Sequence, residues 1–206
     1  MRDKWRAKEW IIVEAPPSFG GAPIAYIPIT DREKAIGRVV ETTLYDLLKD
    51  DPQHMAIKLY FQIVGFEGDR AKTIFKGHEY SREYLKSLVR RGTTTVDMIA
   101  DFTTKDGAVV RVYAVAFTQR RVNNSRKKAI RKVAYDIVAA KTAKLTYEQF
   151  AQETVLGKVA SEIYNEAKKI TILRHVGVRK TKLVRRPPAP EVAAPVEAAE
   201  AQPTAA

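Results

Sequence analysis

His78 and Glu79 begin like the helical zinc-hydrolase motif, in which two histidines four residues apart hold the metal and the glutamate between them acts as base. The position four residues after His78 is Arg82, so the second ligand is missing. Asp97 and Asp101 are the next carboxylates to consider for a divalent metal. In extended chain they stand about 13 Å apart, whereas paired metals sit about 4 Å apart. His54 and His175 have no evident ligand partners, and Gly65-Phe-Glu-Gly68 and Phe19-Gly-Gly21 lack the spacing or trailing lysine of a phosphate loop. The absence of cysteine excludes disulfides, thiolate zinc sites and cysteine nucleophiles together. This pattern supports no catalytic centre, no metal site and no cofactor.

The abundant chemistry is cationic. The 206 residues carry a formal charge of +12, and the last twenty hold three Glu and no Lys or Arg, so residues 1–186 carry +15. Such a field attracts polyanions. The charge collects in three runs. Lys86, Arg90 and Arg91 lie at the end of a helical segment. Gln119–Lys132 holds Arg120, Arg121, Arg126, Lys127, Lys128, Arg131 and Lys132 with no acid. Lys168–Arg186 holds eight basic residues, among them Arg174, Arg179, Lys180 and Lys182, again with no acid. One charge run is usually a solvated face. Three without compensating acids are better explained by phosphate, which relieves their repulsion through charge-assisted hydrogen bonds and counterion release.

The elements that must position these cations follow from periodicity. Around residues 81–92, Ser81 is placed to cap a helix, Glu83 lies in its first turn and Gly92 follows its end. Tyr84, Leu85, Leu88 and Val89 share one face of it, with Lys86 and Arg90 opposite. A helix capped by Asn123-Asn124-Ser125 carries the stripe Ile130, Val133, Ala134, Ile137 and Val138, which turns Lys128 and Lys132 outward and leaves Lys127 and Arg131 on its flanks. Thr146-Tyr-Glu-Gln149 has the spacing of a capping box, and Gly157 separates that helix from one over Lys158–Lys169.

Strands are expected at Trp10–Glu14, Ile36–Leu44, from Ile57 through Ile63, at Ala71–Lys76, from Val96 to Phe102, at Ala108–Phe117 and within Ile170–Val184. Ser18–Pro23 reads as a Gly/Pro loop, Tyr45–Lys49 as a short helical turn, Gly65–Arg70 as a hairpin loop, and Asp106-Gly107 as a strong hairpin signal. The expected fold is α+β. An antiparallel, barrel-like β core with an inserted helix fills residues 1–119, a helical part follows over 123–169, and a return strand over 170–184 completes a single RNA-binding domain of residues 1–186. Pro187–Ala206 is Ala/Pro/Glu-rich and without periodicity, which predicts a disordered tail. The charged N-terminus and short apolar runs predict an intracellular, soluble protein without a signal peptide or membrane span.

Lys4-Trp5…Lys8-Glu-Trp10, Gly37-Arg38-Val39, Phe75-Lys-Gly-His-Glu79, Tyr84-Leu-Lys-Ser-Leu-Val-Arg-Arg91, Thr103-Thr-Lys-Asp-Gly107 and Leu173-Arg174 together resemble the small-subunit ribosomal protein family S-three-A-e, also called e-S-one, in its archaeal form. The likeness runs in order from Trp5 to about Lys182 and is most specific over Gly77–Arg91. It implies a structural, non-catalytic protein of the cytoplasmic ribosome, bound to small-subunit ribosomal RNA at the platform, near the messenger exit and the 3′ end of that RNA. It further implies neighbouring ribosomal proteins, and messenger RNA near the exit, as contacts. Three other readings use the same residues: an extraribosomal RNA-binding translation regulator, a metal-dependent nuclease with Asp97, Asp101 or Glu79 at the metal, and a peripheral membrane protein. The last needs an apolar helix face free for lipid, which the core should occupy.

Overall fold

The computed structural model describes Trp5 and residues 8–187. The elements run β1 (Glu9–Glu14), β2 (Pro23–Ile29), β3 (Val39–Thr43), α1 (Leu44–Leu48), β4 (Ile57–Glu67), β5 (Arg70–Tyr80), α2 (Arg82–Leu88), β6 (Thr95–Thr103), β7 (Val109–Thr118), α3 (Asn124–Lys144), α4 (Tyr147–Val155), α5 (Lys158–Ala167) and β8 (Leu173–Arg185). All eight strands join one sheet in the order β2-β1-β5-β8-β7-β6, with β3 and β4 branching from β5. The sheet is not closed, so the barrel-like expectation stops at a mixed α+β architecture with an open, branched sheet. Every pairing is antiparallel except a short parallel one, Ile12↔Arg70 and Val13↔Ala71, between β1 and β5.

The branch arises because β5 spends one edge on β4 and divides the other. β1 takes the start of that edge and β8 takes its end, Gly77↔Lys182 through Glu79↔Lys180. In the interval between them side chains supply the bonds: Thr73 Oγ1 donates to the Glu14 carbonyl at 2.6 Å, and the Tyr147 hydroxyl donates to the Phe75 carbonyl at 2.6 Å. Two apolar clusters result. The smaller gathers Ile11, Val13, Ile29, Ala35, Ile63 and Ala71, and the larger lies between the rest of the sheet and the helices.

The Gly77-His78-Glu79 block makes the β5/β8 seam. A Cβ on Gly77 would stand 2.1 Å from the Thr181 carbonyl oxygen, so only glycine lets the two backbones approach. His78 is 1% exposed; its Nε2–H donates to the Val178 carbonyl at 3.0 Å, and its Nδ1 accepts from the Thr181 hydroxyl at 2.8 Å. Burial pulls its pKa down to about 4, so the ring is neutral there. Glu79 accepts from Lys180 Nζ at 2.8 Å across the same seam. This block therefore fastens the sheet, with both ring nitrogens of His78 engaged within the seam.

On β6 and β7 alternation sorts the side chains. Val96, Met98, Ala114 and Ala116 face Ile130 and Ala134 of α3 and Ile163 of α5. Thr95, Asp97, Val115 and Phe117 face the other way, toward α2. The capping box at Thr146 forms with both of its bonds, and the Asp106 carboxylate accepts from the Tyr147 N–H at 3.0 Å, tying α4 to the β6–β7 turn.

Several expectations are corrected. Pro23 ends the expected Gly/Pro loop, yet Pro23–Ile29 forms β2, an edge strand where the missing N–H of Pro23 and Pro28 is tolerated. β4 continues through Gly65 to Glu67, leaving Gly68-Asp69 as the turn. β3 is shorter than expected, and α5 stops at Ala167. Ser81 forms no cap, because its hydroxyl donates to the Glu83 carboxylate instead. Helix α2 ends at Leu88, so Val89 is extended and 54% exposed, and none of the helix is fully buried. The expected tail, apart from Pro187, lies outside the described residues.

Candidate nucleic-acid interface

Helix α3 presents the second cationic run because its opposite side is anchored. Ile130, Ala134, Val138 and Thr142, spaced four apart, are buried, while Val133 and Ile137 are half-buried. A fully buried isoleucine contributes about 2 kcal/mol by transfer alone. Lys141 Nζ adds an anchor, 2.7 Å from both Glu153 of α4 and Glu162 of α5, and these partners raise its pKa. Asn123 sits at the N-cap without a side-chain bond. Arg126, Lys128, Arg131 and Lys132 are exposed and Lys127 half-buried, with exposed Tyr135 tilted against Phe102 one turn along.

The three runs meet at one end of the sheet. Thr118, the last residue of β7, bonds both ways with Thr94 just before β6: its Oγ1 accepts from the Thr94 N–H at 3.0 Å and its own N–H donates to the Thr94 carbonyl at 3.0 Å, while its hydroxyl donates to the Arg120 carbonyl at 2.6 Å. The Val122 N–H donates to Thr94 Oγ1 at 3.2 Å. These bonds hold the loop of Arg120 and Arg121 beside the turn from Arg90 to Thr93. From the third run, Arg174 Nη1 donates to the Leu88 carbonyl at 3.4 Å, and the Gln119 N–H bonds to the Ile172 carbonyl at 3.2 Å. Phe117 and Tyr84 both contact the His175 ring, whose pKa burial lowers.

Ion pairs fall mostly outside these runs. Arg32, Lys34, Lys58, Arg70, Lys72, Arg111, Lys141, Lys169 and Lys180 pair with carboxylates. Of the cations singled out from the sequence, only Lys180 does so among the described residues. Arg131 Nε donates to the Asp97 carbonyl at 2.9 Å and Arg174 is used at Leu88, so those two also act as braces. Lys86, Arg90, Arg91, Arg120, Arg121, Arg126, Lys127, Lys128, Lys132, Arg179 and Lys182 have side chains free of such partners among the described residues. Lys182 does not join the convergent end: it pairs with Arg111 in register, about 30 Å along β8 from Leu173 at strand rise.

The carboxylates considered for a metal are used differently. Asp101 accepts a bidentate pair from Arg111 at 2.6 and 2.8 Å, which lowers its pKa, and Glu79 is bound by Lys180. Among the described residues no cluster of three His, Cys, Asp or Glu could hold a metal, and no helix is long and apolar enough to cross a membrane. Sequence reasoning passed over Thr94 and Thr118, which position the arginines, because threonines paired across 24 residues leave no local signal. It also passed over Arg82, which lines a groove beside α2.

The known proteins that this chain is similar to are small ribosomal subunit proteins. The chain is 48% identical over 187 residues to the small ribosomal subunit protein eS1 of Desulfurococcus amylolyticus, covering 91% of this chain and 87% of that one. It is 46% identical to eS1 of Saccharolobus solfataricus (91% and 89% covered) and 44% identical to eS1 of Sulfurisphaera tokodaii (91% and 96% covered). The signature of the Ribosomal S3Ae family matches residues 1–187. With the whole described fold inside that match, the chain belongs to the ribosomal S3Ae family.

Proposed function

We propose that this protein binds ribosomal RNA through the convergent end of its sheet and the outer face of α3, on the platform of the small subunit near the messenger exit and the 3′ end of the small-subunit RNA. Family membership makes it a structural, non-catalytic constituent of the small ribosomal subunit, working in the cytoplasm with ribosomal RNA and neighbouring ribosomal proteins as partners. The observation that carries the RNA-binding surface is the clustering of unpaired cations: carboxylates pair with Arg32, Lys58, Arg70, Lys72, Arg111 and Lys141 elsewhere, while Arg90, Arg91, Arg120, Arg121, Arg126, Lys128 and Lys132 are exposed and in no ion pair among the described residues, on segments joined through the Thr94 bonds. Phosphates supply the missing counter-charge. The platform position, and contact with messenger RNA near its exit, rest on the family resemblance of the Gly77–Arg91 block.

The test is Lys128→Glu with Lys132→Glu, on a face where neither side chain packs. Affinity for small-subunit RNA should fall most at low salt. The slope of log affinity against log salt should shrink by about two, one for each phosphate that the variant no longer neutralises. Glu148→Lys, at an exposed position of α4, should not weaken binding. Equal affinity of wild type and double variant across the titration would remove α3 from the interface.

A further inference from the structure

A groove of about 400 Å³ lies between α2 and the outer face of β6, β7 and β8, toward the lower end of the range of small-ligand sites, about 300–1,000 Å³. Its apolar lining comes from Leu85, Val89, Val115 and Phe117, of which Val115 and Phe117 are 3% exposed and Val89 is 54% exposed. Arg82 and Lys86, four apart on α2, and Arg179 of β8 also line it, and none of the three is in an ion pair among the described residues. Asp97 brings a carboxylate. Its neighbour on the same strand face, Asp101, is consumed by Arg111, but among the described residues the Asp97 side chain has no such partner and only its backbone carbonyl is used, by Arg131.

We propose that this groove is a subsite for one unpaired ribonucleotide whose base bears an exocyclic amino group. The proposal rests on the RNA-binding reading above and specifies part of it. The apolar lining accepts the face of a base, and cations on both walls hold the phosphates on either side of it. An acceptor-only carboxylate beside the base repels phosphate but takes N–H donors. Cytosine and adenine offer an amino group there, and guanine offers two adjacent N–H donors. Uracil sets its single N–H between two carbonyl oxygens that repel Asp97. A duplex keeps these edges paired, so the occupant is single-stranded, the form in which RNA bases are most readily read. Charge complementarity also bears on an acidic amphipathic peptide, which would match the cations and the apolar lining. The free Asp97 opposes that occupant and favours the nucleotide.

The experiment uses the full chain with fluorescein-labelled hexacytidylate and hexauridylate, two pyrimidine strands of equal charge, read by anisotropy. Wild type should bind hexacytidylate about tenfold more tightly, within the discrimination a well-placed base contact provides. Asp97→Asn, whose amide also donates, should bring the two affinities within about twofold. Val89→Glu, at an exposed position that leaves the fold intact by circular dichroism, should reduce hexacytidylate to the uridylate level. Lys128→Glu with Lys132→Glu should weaken both strands and keep their ratio. Equal binding of both strands by wild type, or an unchanged ratio in both groove variants, overturns the subsite while leaving RNA binding intact. Failure of wild type to bind either strand or small-subunit RNA overturns the underlying reading. Displacement by hexaglutamate as effective as by unlabelled hexacytidylate assigns the groove to an acidic peptide and overturns the proposal.

Discussion

Lowering the pH from 7 to 5 should loosen the β5/β8 seam through His78, by an amount that follows from its burial. In the fold its pKa is depressed to about 4, against about 6.5 in an unfolded chain. Between those values the unfolded state binds the extra proton, so stability rises with pH in that window, is fully present above about 6.5, and is lost progressively as pH falls toward 4. At pH 5 nearly every unfolded chain is protonated at this site, while about nine folded chains in ten are not. The linkage then amounts to about 2 kcal/mol lost relative to pH 7. The cause is structural, since Thr181 and Val178 engage both ring nitrogens of the neutral form and no water reaches a charged one. Urea unfolding at fixed ionic strength, at pH 7 and pH 5, should be compared in wild type and His78→Gln, which retains a donor but does not titrate. Carboxylates and the other histidines contribute to both proteins and cancel in the difference. The variant should be less stable at pH 7, and the gap should narrow by about 2 kcal/mol at pH 5. Parallel pH dependences, or a nuclear magnetic resonance titration placing His78 near 6.5, would refute the argument.

Gly77→Ala should be among the most damaging single-methyl additions, since the Cβ meets backbone and β5 must part from β8; a loss of about 3 kcal/mol or more, or an insoluble product, is expected. An unchanged melting temperature would mean that the seam is looser than the structure shows. Tyr147→Phe removes the buried hydroxyl bond to the Phe75 carbonyl while keeping the ring, and should cost about 1–3 kcal/mol in a denaturant titration without changing RNA affinity. A loss of affinity there would show that α4 affects the cationic end.

What could be read from the sequence was what local geometry decides. The alternation of Val96, Met98 and Phe102 against Asp97 and Asp101 is a property of extended chain, and it holds. The capping box at Thr146 is closed by residues three apart, and the outward placement of Lys128 and Lys132 follows from the helical period alone. Helix periodicity gave α2 its direction but could not say that the helix stops at Leu88, which is why Val89 emerged on the surface. Lys180 looked like a member of an acid-free run. Its carboxylate partner, Glu79, lies 101 residues away in sequence and only β5/β8 pairing brings it near. The convergence of the three runs likewise depends on register across β6, β7 and β8, information that no window of sequence contains.

The place of β8 has a consequence for the order in which this protein acquires its structure. It is the last strand described, made after all five helices, yet it lies inside the sheet between β5 and β7. While the ribosome is still synthesising the chain, two strand edges and the larger apolar cluster must wait for residues 173–185. A nascent chain halted before them presents unpaired edges of the kind that recruit other strands. Contacts closing across about a hundred residues also make the final step slow relative to helix formation. This fold is thus completed only after residues 173–185 have been made, and the Arg174 brace on Leu88, which ties the third cationic run to the first, forms only at that insertion.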